Sequence, residues 1–115
     1  MKHIVAKVGE VEAGQCKLVT IDNKEIGVFL VEGEYRAYRN VCPHAGAPLC
    51  PGYSAKSELP EGVHRFNSGS GANSIQCPWH GWEFNLATGQ HETSRMELKA
   101  FEVAVEGDEI SIEVP

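Results

Sequence analysis

An all-β fold built from antiparallel strands is predicted for this chain. Apolar residues recur at every second position in several short windows. Turn signals containing glycine separate those windows, and no window sustains the periodicity of an amphipathic helix.

Ile4, Ala6 and Val8 mark the first strand, and Leu18 and Thr20 a second. Ile26 to Val31 is a continuous apolar run of the length expected for a buried strand. Glu32-Gly33-Glu34 turns the chain, and Tyr35 to Tyr38 pairs back as a hairpin. The stretch from Pro51 to Asn73 is rich in Gly, Ser, Pro and Asn. It reads as an inserted loop over 51–73, either a tolerated surface insertion or a docking loop for a partner. Ser74 to Cys77 and Glu83 to Leu86 predict a strand pair that ends at a Thr88-Gly89 turn. Phe101, Val103 and Val105 alternate with Glu102 and Glu106 before Gly107-Asp108. Ile110, Ile112 and Val114 then alternate with Ser111 and Glu113, which predicts a hairpin with one buried and one wet face.

Composition bounds the function. With 115 residues the chain is expected to be one domain, 1–115, with a core that needs no disulfide support. A net charge of -6 argues against nucleic-acid binding and suits docking to a basic patch on a partner. The start, Met1 to Lys7, does not resemble a signal peptide. No apolar run approaches the ~20 residues of a membrane helix, so a cytoplasmic protein without a membrane partner is expected. In that reducing compartment the cysteines are expected as ligands rather than disulfides.

Two short motifs carry the chemistry. Cys42-Pro43-His44 and Cys77-Pro78-Trp79-His80 each pair a thiol with an imidazole, far apart in sequence. Two thiolates and two neutral nitrogens could hold a tetrahedral zinc ion, but zinc sites usually space their ligands as C-x-x-C and H-x-x-x-H. C-x-H followed by C-x-x-H is instead the ligand pattern in which two imidazoles replace two thiolates on one iron of a 2Fe-2S centre. Gly46 follows the first pair, and Gly81-Trp82-Glu83-Phe84 follows the second. CPHAG and CPWHGWEF resemble the two cluster-binding loops of Rieske proteins, and more closely those of the soluble Rieske ferredoxins and oxygenase domains.

The resemblance implies the Rieske iron-sulfur fold: antiparallel sheets or a β-sandwich with a small cluster-binding subdomain inserted, here at about 40–87. It implies one 2Fe-2S cluster per chain, with Cys42 and Cys77 on the inner iron and His44 and His80 on the outer, solvent-near iron. The oxidised centre is then neutral, because two thiolates cancel the charge of two ferric ions and two sulfides. Adding an electron to a neutral centre costs less than adding one to a dianion. Rieske potentials therefore span ~-150 to +300 mV, against ~-400 mV for plant-type clusters. High-potential relatives carry an inter-loop disulfide at the positions of Ala47 and Trp79, and cluster-directed hydroxyls at those of Trp82 and Phe84. None of these four residues can supply either feature, which predicts a potential near the low end. The histidine ligands imply a potential that is flat near neutral pH and falls only at alkaline pH.

The remaining candidates read more plainly. Cys16 is expected to face the core beside a strand, and Cys50 to be a packed thiol. His3, His64 and His91 read as isolated surface residues, with His64-Arg65 in the inserted loop. Trp82 reads as a cluster shield and Trp79 as a docking residue. Gly46 and Gly81 would let backbone amides approach the sulfides. Many relatives lid the cluster with a proline-containing loop, but Thr88 to Leu98 has no proline, so a more exposed site is expected.

The expected function is that of a non-enzymatic one-electron carrier. Resemblance implies a flavin-dependent ferredoxin reductase as donor and a terminal oxygenase as acceptor. The alternative is a small non-catalytic Rieske-like subunit of a larger reductase such as a nitrite reductase. A self-contained oxygenase would need a second iron on two histidines and a carboxylate. His91 is the only histidine after the second motif, so that reading is rejected.

Overall fold

Strand β3 (Lys24–Val31) explains the architecture, because both of its faces are covered. Ile26 and Val28 face one apolar core, while Phe29 and Val31 face another. A strand buried on both sides needs an unbroken apolar run rather than alternation. The computed structural model describes residues 2–12, 14–41, 63–65, 74–77, 83–91 and 95–114. Among them there is no helix, and so none long and apolar enough to cross a membrane.

β2 (Gln15–Ile21), β3 and β4 (Glu34–Arg39) form an antiparallel meander. The β2–β3 loop is Asp22-Asn23, with φ of 50° and 66°, and the β3–β4 loop is Glu32-Gly33, with φ of 51° and 80°. Two consecutive left-handed residues make a type I′ turn, whose twist matches that of the strands it joins. A Cβ at Gly33 would meet nothing within 4 Å. Gly33→Ala is therefore expected to cost only the backbone penalty, about 1–2 kcal/mol, read by chemical denaturation.

The main sheet runs β1-β9-β8-β4-β3-β2-β5, where β1 is Lys2–Lys7, β5 Val63–Arg65, β8 Ala100–Glu106 and β9 Glu109–Glu113. β8 pairs with β4 through Ala100 and Phe101 and with β9 through Glu102 to Glu106. Val5, Ala6, Ile110, Ile112 and Val114 share a core with Ile26, Val28 and Ala37. Strands at one end of the sheet thus fold over its centre, as in a sandwich. The terminal hairpin turns at Gly107, φ 61°, as its sequence predicts.

Three details depart from the sequence reading. The register of β1 on β9 shifts between Ile4 and Ala6, so Val5 and Ala6 both turn inward. Ile4 and Val8 are left exposed at 63% and 47%, although strict alternation would bury them. The bulge inserts one residue, which turns Ile4 outward and Val5 inward, while Val8 lies beyond the end of β1 in a turn. Ser111, predicted to face water, is buried, with its hydroxyl 3.4 Å from the Ala104 carbonyl oxygen. Finally, His64 and Arg65 lie in a strand rather than a loop. β5 pairs antiparallel with β2, matching His64 to Cys16.

The second sheet is the hairpin of β6 (Ser74–Gln76) and β7 (Glu83–Asn85). Ile75 and Phe84, both with no exposed surface, pack with Leu86 and Leu98 against Cys16, Phe29, Val31 and Tyr38. Each large side chain buried in this way contributes about 1.5–3 kcal/mol. This core fixes the hairpin to the outer face of the β2–β4 meander.

Candidate metal centre

The two motifs leave the fold from strands that share this core. β4 exits through Asn40 and Val41 into Cys42. That exit is pinned by the Arg39 N–H donating to the Lys99 carbonyl and the Asn40 N–H donating to the Glu25 carbonyl, each at 2.8 Å. β6 ends directly at Cys77, which begins the second motif. The register Gln76↔Glu83 sets where the chain returns after that motif.

Cys77 is the one predicted ligand among the described residues; Cys42, His44 and His80 lie outside them. Its thiol is free and it is 1% exposed, packed in the core that holds Ile75, Phe84 and Leu86. No group of three or more potential ligands gathers among the described residues. Ala47, Cys50, Trp79, Gly46, Gly81 and Trp82 also lie outside them. Cys16 faces the same core, as expected, but it is disulfide-bonded rather than reduced. Cys77 is thus a buried, free thiol at the first position of its motif.

The described residues that share a core with Cys77 are mostly apolar. Phe84 has no exposed surface and no hydroxyl. Tyr38 carries the only hydroxyl among the described residues of this core, and it donates to the Leu86 carbonyl at 2.6 Å. Burial pushes its pKa up, against the lowering influence of the Arg36 charge, so the phenol stays neutral. His91 corrects the expectation of an isolated surface residue. Its ring packs 5.5 Å from that of Phe84 at 54°, and the two residues form a β-bridge.

Hydrogen bonds organise the described residues of the stretch after β7. The Asn85 side-chain oxygen accepts from the Ala87 and Thr88 N–H groups at 2.8 and 3.3 Å, and the Asn85 carbonyl accepts from Gly89 at 2.6 Å. Gln90 bridges Glu97, and the His91 N–H donates to the Met96 carbonyl at 3.0 Å. Leu98, 4% exposed, closes this stretch onto the core. Sequence reasoning missed Tyr38 and Asn85 as organisers. The signal available for Tyr38 was an aromatic hydroxyl on the strand leading into Cys42.

A family model for the Rieske [2Fe-2S] domain matches residues 1–102. The chain belongs to this family. Among curated relatives, apoptosis-inducing factor 3 of Mus musculus is 29% identical over 110 residues, covering 94% of this chain but 16% of that protein. The chain therefore spans about a sixth of the length of that relative. The ferredoxin component of the naphthalene 1,2-dioxygenase system of Pseudomonas aeruginosa is 27% identical over 107 residues, covering 91% of this chain and 88% of that one. Among solved structures, the ferredoxin of Sphingomonas yanoikuyae B1 superposes with a TM-score of 0.74 at 25% identity, covering 100% of both chains. The Rieske fold expected from the two motifs is the fold observed: all-β, in antiparallel sheets.

Proposed function

We propose that this Rieske protein is a cytoplasmic one-electron carrier that passes electrons from a flavin-dependent ferredoxin reductase to a terminal oxygenase. The observation that carries the reading is the near end-to-end match to a dioxygenase ferredoxin component, with covered lengths of 91% and 88%. Such a protein needs no substrate pocket of its own. It needs a redox centre close to the surface and a face that a partner can approach.

In this reading Cys42 and Cys77 hold the inner iron of the 2Fe-2S cluster, and His44 and His80 the outer. When bound, the cluster supplies reversible one-electron chemistry. The chain supplies the setting. The core around Cys77 excludes water from the thiolate side, and the two strand exits fix where each ligand pair begins. The net charge of -6 favours encounter with a basic face on the reductase or oxygenase. Contacts of this kind are small and transient, so turnover does not require a stable complex.

The low-potential expectation gains support from the same core. Hydrogen bonds donated to cluster sulfur raise the potential by stabilising added negative charge. The one hydroxyl among the described residues of this core is committed to the Leu86 carbonyl. Protein-film voltammetry is expected to give a midpoint below ~+100 mV; a higher value would contradict the assignment. The function itself is tested by mixing the reduced protein with a Rieske-type terminal oxygenase in a stopped-flow instrument. Oxidation of the carrier that depends on oxygenase concentration and weakens with salt supports it. Isolation only as a fixed subunit of a large reductase would favour the alternative.

A further inference from the structure

One buried side-chain hydrogen bond ties the Cys77 hairpin to the main sheet. Tyr38 Oη donates to the Leu86 carbonyl across 2.6 Å, with Tyr38 4% and Leu86 2% exposed. The Tyr38 ring lies 6.1 Å from that of Phe29. Gly89 approaches the same ring so closely that a Cβ there would stand 3.0 Å from Tyr38 Cε1. Rotation of the phenol is therefore restricted by β3 and by the turn after β7.

The two residues joined by this bond lead to different motifs. Tyr38 is on β4, the strand that runs into Cys42. Leu86 directly follows β7, and β7 is paired residue for residue with β6, which ends at Cys77. We propose that Tyr38 is a positioning residue for the iron–sulfur cluster: by holding Leu86 it sets the spacing between the segment that enters Cys42 and the segment that starts at Cys77. The proposal rests on the cluster reading above. A rigid cluster bridging two segments transmits any change in their spacing to its own metal–ligand bonds. Loss of the hydroxyl therefore weakens cluster retention more than it weakens the fold.

Tyr38→Phe keeps the ring and removes only the donor. The control is Ile112→Val, in the core on the opposite face of the sheet. Both variants are first placed on one stability scale by chemical denaturation. The readouts are the rate at which a chelator bleaches the oxidised protein and the width of the electron paramagnetic resonance lines of the reduced protein. Tyr38→Phe is expected to bleach roughly five-fold faster than the wild type, while a comparably destabilised Ile112→Val stays within about two-fold. The tyrosine variant alone is expected to show broadened lines, because its ligand spacing is less uniform. Equal bleaching at equal stability, with wild-type line widths, would overturn the proposal and leave the cluster reading intact. Wild-type protein that holds no cluster would overturn both.

Discussion

Cys77→Ser is expected to yield a protein without visible colour and with iron and acid-labile sulfide at background. Cys77 is 1% exposed and its thiol is free, at the end of a strand whose position is fixed by the core. Serine keeps the size but replaces a soft thiolate with a hydroxyl that stays protonated at neutral pH. That hydroxyl would sit among Ile75, Phe84 and Leu86, where an unsatisfied polar group costs about 1–3 kcal/mol. Cys77→Ala separates the two effects. It too loses the cluster, but without burying a hydroxyl, so its cluster-free fold is expected to be the more stable of the two. Metal analysis alongside chemical denaturation checks both statements. Full iron content in either variant would remove Cys77 from the ligand set.

The second large effect is expected at Gly89. Its φ of 81° lies in the left-handed region, and an added Cβ would stand 3.0 Å from Tyr38 Cε1, 3.5 Å from the Leu98 carbonyl oxygen and 3.7 Å from Tyr38 Cζ. Gly89→Ala therefore incurs the backbone penalty that Gly33→Ala incurs and also displaces a buried ring that donates a hydrogen bond. A loss of about 2–4 kcal/mol is expected. This corresponds to a fall in Tm on the order of 10–20 °C for a domain of this size. Thermal unfolding of the two glycine variants side by side is the check. Equal losses would mean that the ring yields freely and that the contact carries little energy.

Much of this architecture is legible in the residues themselves. The run from Ile26 to Val31 announces a strand covered on both faces, and the structure buries it between two cores. The terminal hairpin is legible because alternation and a glycine turn agree. β1 is only half legible: Ala6 faces inward as its pattern predicts, but the bulge turns Val5 inward in place of Ile4, and bulges arise from pairing rather than from local composition. β5 could not be read at all. Three residues inside a Gly- and Ser-rich stretch carry no periodic signal, and they become a strand only because β2 offers an unpaired edge. The Tyr38–Leu86 bond joins residues distant in sequence, so no local pattern encodes it. The disulfide state of Cys16 runs against the expectation from compartment alone. The candidate centre is legible in the sequence alone, as two short motifs of fixed spacing; of its four proposed ligands only Cys77 lies among the described residues, buried and free directly after β6.

The central claim is that one sulfur and one imidazole from each of two distant segments hold a shared pair of irons. Pulsed electron paramagnetic resonance on chemically reduced protein, grown with nitrogen-15 histidine, tests it most directly. The expected result is a mixed-valence iron pair coupled to two directly bonded imidazole nitrogens, with Cys42, His44, Cys77 and His80 as the ligands. A spectrum without bonded nitrogen, or reduced protein with no iron-pair signal, would contradict it.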